Sequence, residues 1–131
     1  SVYYLAALYS ELKGGTYIVA GTSNLCELYV GYFTKGGDST YDIGVLNNYT
    51  VDEVIKIGEY LKVPDKVLYK APSDGLSELT DEDKLGVKYK DIASYINGEE
   101  LQENVSNKIL TLHNKAHHKF NTPIYTRSET K

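Results

Sequence analysis

Three stretches of this sequence hold residue types that can bind a phosphorylated ligand and neutralise its charge. The first is Gly21-Thr22-Ser23-Asn24, followed directly by Leu25-Cys26-Glu27. It sits between an apolar run, Thr16-Tyr17-Ile18-Val19-Ala20, and a helical pattern. In open α/β sheets ligands bind outside the carboxyl ends of the strands, and helix N-termini attract phosphate. Placed there, Thr22 can donate to a nucleotide and Glu27 can hold Mg²⁺. The Asn24-x-x-Glu27 spacing is equally that of a capping box, in which both side chains serve only the helix start.

The second stretch is Thr34-Lys35-Gly36-Gly37-Asp38-Ser39-Thr40-Tyr41-Asp42. Lys35 brings a cation, the glycines allow close backbone approach, and the two aspartates bring acceptors. Together they can hold phosphate and ribose hydroxyls, and an ordinary polar loop has the same composition. The acidic spacing does not match a calcium-binding EF-hand loop. The third stretch is His113, His117, His118 and Lys119. His113 and His117 lie one helical turn apart, but zinc needs further ligands and no glutamate follows His113 as in metalloproteases. Cations at a helix C-terminus are favoured by its dipole, and His118-Lys119 suits an anion better than a metal. Cys26 lies near a helix start, which can lower a thiol pKa, yet no histidine is near it in sequence. A small thiol on a helix face is the simpler reading.

The elements that must position these groups follow from periodicity. Val2, Leu5, Ala6, Tyr9 and Leu12 form an amphipathic stripe over residues 1–12, ended by Gly14-Gly15. Residues 16–20 read as a buried parallel strand, and 25–33 as the next helix. Thr50 and Glu53 form a second capping box, opening a helix over 51–61 that stops before Pro64. A second strand is expected near Lys66 to Tyr69. Residues 70–86 read as a mobile loop with at most one short turn of helix. Tyr89 to Ile96 reads as helical up to Asn97-Gly98, and Leu101, Val105, Ile109 and Leu112 line the face of a last helix. The tail after Pro123 is expected to fray. A lone confident strand cannot satisfy its own backbone polar groups, so the rest of a sheet is expected from outside these residues.

Bulk properties exclude several classes. The 131 residues fit one domain or a large part of one, and 41% hydrophobic with 24% charged residues is an ordinary globular composition. Thirteen tyrosines and no methionine are present; a chain without an initiator, starting at Ser1, is expected to be cut from something longer. The net charge of −4, with no long stripe of Lys or Arg, gives no support for nucleic-acid binding. No apolar run approaches the ~20 residues of a membrane span. The single cysteine rules out an internal disulfide, so a cytoplasmic location is expected.

Taken as an ordered set, several runs make this chain similar to the NAD synthetase family. They are Gly21-Thr22-Ser23-Asn24-Leu25-Cys26-Glu27-Leu28, Gly31-Tyr32-Phe33-Thr34-Lys35, Gly37-Asp38 and Asp42. Further along come Tyr60-Leu61-Lys62-Val63-Pro64, Ala71-Pro72-Ser73-Asp74-Gly75-Leu76 and Thr80-Asp81-Glu82-Asp83-Lys84-Leu85-Gly86. The order persists from about residue 1 to residue 123. The resemblance implies a ligase of NAD biosynthesis that adenylates the nicotinate carboxylate of deamido-NAD with ATP, then lets ammonia displace AMP. It implies ATP contacts at Thr22 and Ser73, Mg²⁺ ligation by Glu27, and deamido-NAD contacts at Lys35, Asp42, His118 and Lys119, with Phe33 near the nicotinate ring. It further implies a homodimer with deamido-NAD at the subunit interface, and ordering of the 71–83 loop over the active site.

Two departures qualify these expectations. Many members carry an ATP-contacting Lys where this chain has Val51, beside Thr50. The family's Ser-Gly-Gly-x-Asp-Ser pyrophosphate loop and an upstream substrate-contacting Arg are also absent from the 131 residues. The expectation is therefore a parallel-sheet α/β fold of the adenine-nucleotide α-hydrolase-like, Rossmann-like type. Residues 1–131 would be the C-terminal part of one synthetase domain, its partner the missing N-terminal half, and inactive alone. Rival readings are a non-catalytic nucleotide-binding module, which would bind deamido-NAD tightly unaided, and an interaction domain of similar shape.

Overall fold

The computed structural model describes residues 1–73, 75 and 78–121. In chain order it contains α1 (Val2–Lys13), β1 (Ala20–Gly21), α2 (Leu25–Val30), β2 (Ile43–Gly44) and α3 (Val51–Tyr60). The short α4 (Asp65–Leu68) and α5 (Asp81–Leu85) lead to α6 (Tyr89–Ile96) and α7 (Glu103–Phe120). The strands pair in parallel, Ala20 with Ile43 and Gly21 with Gly44. The α/β class with a parallel sheet is thus present. The expected fraying after Pro123 lies outside the described residues.

Helix starts follow the side-chain chemistry. Asn24 Oδ1 accepts from the Glu27 N–H at 3.0 Å, and Glu27 Oε2 accepts from the Asn24 N–H at 2.9 Å. Glu53 reaches back to the Thr50 N–H at 2.8 Å. A third box, unremarked in the sequence, opens α5: the Thr80 N–H donates to Asp83 Oδ2 at 3.0 Å, and the Asp83 N–H returns to Thr80 Oγ1 at 3.2 Å. Each such cap is worth about 1 kcal/mol. α2 stops at Val30 rather than Phe33 because Gly31 takes a left-handed φ of 68° and turns its N–H back to the Glu27 and Leu28 carbonyls.

Two strand expectations are corrected. Residues 16–20 do not form a buried strand: only Ala20 and Gly21 pair, Val19 is buried, and Tyr17 and Ile18 are 46% and 58% exposed. The Val19 N–H donates to the Asp42 carboxylate at 2.8 Å, so a side chain stands where a ladder partner would be. Lys66 to Tyr69 is not a strand either. The Pro64 carbonyl accepts from the Val67 and Leu68 N–H groups at 2.8 and 3.1 Å, closing the turn that becomes α4. The partner of β1 comes instead from Ile43–Gly44, just past the polar loop.

The core lies among α2, α5, α6 and α7, where Cys26, Ile92 and Ile109 are fully buried and Val30, Leu85, Val87 and Tyr89 pack around them. Burial of a Leu- or Ile-sized side chain contributes about 1.5–3 kcal/mol, so this cluster holds the α2 and α7 ends in register. α1 buries no residue; Val2, Leu5 and Leu12 of its apolar stripe are exposed. It is tethered by Tyr9, stacked on Tyr17 at 5.7 Å, and by the Tyr3 hydroxyl, which donates to Asp42 at 3.3 Å. Among the described residues no helix is long and apolar enough to cross a membrane.

Candidate functional site

The turn from β1 into α2 presents Thr22 and Glu27 as its sequence suggests, but with fewer free donors. Thr22 is exposed and Glu27 is half-buried. The Leu25 N–H donates to the Tyr49 carbonyl at 2.8 Å, and the Glu27 N–H is held by Asn24. Much of the phosphate-attracting potential of this short helix is therefore already used. Gly21 looks like a close-approach glycine for a ligand, yet a Cβ there would strike the Tyr41 ring. The glycine serves internal packing.

Glu27 lies in a field of like charge. Burial pushes its carboxyl above the usual glutamate range, the Asn24 N–H pulls it back, and the Asp81 and Asp38 carboxylates raise it further. Asp81 is buried and accepts from the Tyr32 hydroxyl at 3.0 Å. Glu27 also lines a cavity of about 410 Å³ with Asn24, Val51, Pro72, Glu82 and Tyr89. Its wall thus includes the Val51 side chain and the residue preceding Ser73. Ser73 itself accepts from the Gly75 N–H at 3.1 Å, and the Pro72 carbonyl accepts from the Asp81 N–H at 3.0 Å. Asp74, also part of the quoted motif, is outside the described residues.

The second group gathers at the far end of α2. Lys35 Nζ donates to the His118 carbonyl at 2.7 Å. Lys119 Nζ donates to the Gly31 and Phe33 carbonyls, both at 2.6 Å, and lies 5.0 Å from the Phe33 ring centroid. Phe33 meets Phe120 edge-on at 5.5 Å. Four of the residues picked from sequence, 83 or more positions apart across the two segments, are thereby joined. Asp42 is used differently: its carboxylate is bound to the Val19 N–H and to the Tyr3 hydroxyl, where it fixes the approach to β1.

The remaining candidates have structural partners. His113 Nδ1 meets the Tyr29 carbonyl at 2.8 Å, and its ring stacks on Tyr29 at 4.4 Å. His117 Nε2 pairs with Asn121 Nδ2 at 3.0 Å, so the two imidazoles turn to separate partners. Burial pushes the Cys26 thiol up, away from a reactive thiolate. Asp81, Tyr32 and Tyr89 around Glu27 have no site role in the sequence reading, although Tyr32 and Asp81 fall within the runs that carry the family resemblance. For Tyr89 the sequence signal is the inward spacing of Tyr89, Ile92 and Ala93 on α6.

The NAD synthase family model matches residues 4–123. This chain belongs to the NAD synthase family. Among relatives, the NH(3)-dependent NAD(+) synthetase of Malacoplasma penetrans is 42% identical over 123 residues, 93% of this chain and 48% of that protein. The NH(3)-dependent NAD(+) synthetase of Carboxydothermus hydrogenoformans is 40% identical over 120 residues, 91% of this chain and 49% of that protein. The family member therefore spans about half the length of the curated relatives it matches. The solved NMN synthetase of Francisella tularensis superposes with a TM-score of 0.82 at 39% identity, covering 95% of this chain and 52% of that one. The NH3-dependent NAD synthetase of Campylobacter jejuni, at 22% identity and a TM-score of 0.67, shows the shared fold.

Proposed function

We propose that these residues form the substrate- and cation-binding part of an ammonia-dependent NAD synthetase, a ligase that amidates deamido-NAD at the cost of ATP. The family match over residues 4–123 carries this reading. In the reaction, a nicotinate carboxylate oxygen attacks the α-phosphorus of ATP and pyrophosphate leaves. Ammonia then attacks the acyl carbon, AMP departs with the C–O electron pair, and the surplus proton passes to solvent. Such chemistry is dominated by positioning and charge neutralisation.

The residues divide this work by position. Thr22 and Ser73 supply hydroxyls to ATP; Pro72, which precedes Ser73, lines the cavity that Glu27 also lines. Lys35, His118 and Lys119 form the cationic end that takes the phosphates of deamido-NAD, with Phe33 against the pyridine ring. Asp42 supplies an acceptor for a ribose hydroxyl once released from Tyr3. Oxygen ligands suit Mg²⁺, which takes one or two carboxylates and completes its shell with phosphate and water. Glu27, crowded by Asp81 and Asp38, is a carboxylate whose repulsion a divalent cation relieves. Among the described residues no three such side chains converge to hold a metal unaided, in keeping with a cation that arrives with the nucleotide. When bound, Mg²⁺ offsets the negative charge of the ATP phosphates.

The reading includes a homodimer with deamido-NAD at its interface and a cytoplasmic location, where these substrates occur. It also assigns the pyrophosphate-cradling loop to polypeptide outside the 131 residues. A second reading, amidation of the mononucleotide to NMN, is favoured by the likeness to the Francisella tularensis protein. Both use the same carboxylate chemistry and differ in whether an adenylyl group must be accommodated.

The test is amide formation by the intact polypeptide carrying these residues, with ATP, Mg²⁺ and ammonium, and deamido-NAD or nicotinate mononucleotide as acceptor. NAD formation with a KM raised about tenfold or more by Lys35→Ala or Asp42→Ala supports the assignment. Preference for the mononucleotide selects the second reading. No amide from either acceptor, or unchanged KM and kcat in both variants, removes it.

A further inference from the structure

One of the residues that line the cavity beside Glu27 carries a buried polar group without a bond. Tyr89 is 2% exposed, and its hydroxyl has no hydrogen-bond partner among the described residues. The residue is rigidly placed. Its N–H donates to Glu82 Oε1 at 2.8 Å, and Ile92 and Ala93 of the same helix are buried in the core. It lines the same cavity as Glu27, Asn24 and Pro72. The charges acting most strongly on the hydroxyl are the Glu27 carboxylate and then that of Asp81.

Leaving a buried hydroxyl unpaired is destabilising, and a phenylalanine would fill the same space without that cost. Burial, and then the Glu27 and Asp81 carboxylates, keep the phenol protonated, so its hydroxyl can donate to a neighbouring carboxylate. Glu27 meanwhile has Oε2 committed to the Asn24 N–H. A carboxylate that turns to meet a cation needs its orientation fixed by a second donor.

We propose that Tyr89 is a positioning residue whose hydroxyl donates to the Glu27 carboxylate when a nucleotide with its divalent cation occupies the cavity. The inference rests on the nucleotide-binding reading given above. Among the described residues the hydroxyl is unsatisfied, and a Glu27 carboxylate turned toward a cation supplies its bond. Tyr89 therefore stores a local instability that ligand binding releases, and stability and affinity respond to its removal in opposite directions.

The experiment compares the intact protein with its Tyr89→Phe, Glu27→Gln and doubly substituted forms. Thermal melts are taken without ligand, and ATP affinity is measured by calorimetry at fixed Mg²⁺. Tyr89→Phe is expected to melt at or above the temperature of the parent, and to bind ATP about tenfold more weakly. In the Glu27→Gln background the same substitution is expected to change affinity less than twofold, because the effect passes through Glu27. A Tyr89→Phe protein that melts several degrees lower shows that the hydroxyl is already paired, and overturns the proposal. Undiminished affinity, or a full loss retained in the Glu27→Gln background, overturns it while leaving the nucleotide reading intact. Absence of ATP binding by the parent protein removes that reading and this inference together.

Discussion

Substituting Gly31 with alanine tests the contact that brings the two halves of the candidate substrate site together. Gly31 has a φ of 68°, and a Cβ there would collide with the Ala116 side chain on α7. The left-handed backbone costs an alanine about 1–2 kcal/mol. Overpacking against a buried helix adds about 1–3 kcal/mol. The sum, about 2–5 kcal/mol, is a large share of the 5–15 kcal/mol typical of a whole domain, and corresponds to a Tm lower by roughly 10 °C. Gly36→Ala is the control, since its φ of 77° imposes the same backbone strain with no atom within 4 Å of the added carbon. Urea melts of both variants separate strain from collision. Adding Ala116→Gly to Gly31→Ala should restore the steric part, about 1–3 kcal/mol, less about 1 kcal/mol for a glycine inside α7. If Gly31→Ala loses no more than Gly36→Ala, or if the two substitutions at 31 and 116 simply add, the packing argument is wrong.

Lys119→Met should lower stability by about 1–3 kcal/mol in denaturant melts, because the Gly31 and Phe33 carbonyls lose a charged donor. An arginine at the same position should recover part of it, and a neutral outcome for the methionine variant would contradict the role given to these bonds. Glu27→Gln keeps the capping acceptor but removes a charge that burial and two aspartates disfavour. A carboxyl raised in the folded state adds stability only at low pH and loses it as pH rises through its folded value. The glutamine variant should thus melt above the parent at about pH 7, with the gap closing toward about pH 4. A gap that widens in acid would reverse the sign and refute the electrostatics.

What the sequence disclosed is what local chemistry decides. Asn24 with Glu27 and Thr50 with Glu53 announced their helices because a cap is made by residues three apart. Gly98 marked the end of α6 for the same local reason. Thr80 with Asp83 escaped notice because aspartate stands where the usual box has glutamate or glutamine. The sheet was hardest: Ala20–Gly21 and Ile43–Gly44 are too short for any alternation to register, and their pairing depends on Asp42 reaching the Val19 N–H. Lys66 to Tyr69 has strand-like composition, but Pro64 sets the turn before it. In the site, Lys35, Phe33, His118 and Lys119 were legible as types, and only packing of α7 on α2 showed them adjacent. Tyr89 and Asp81 became visible as neighbours of Glu27 only in three dimensions.

Lys35 and Lys119 cross over one another's segments, each ammonium hooked to carbonyls of the opposite partner. An ammonium has three N–H donors, so Lys35 keeps two and Lys119 keeps one beyond these bonds. The same side chains that fasten the end of α7 to the segment after α2 therefore still have hydrogen-bonding capacity directed away from the protein's own backbone.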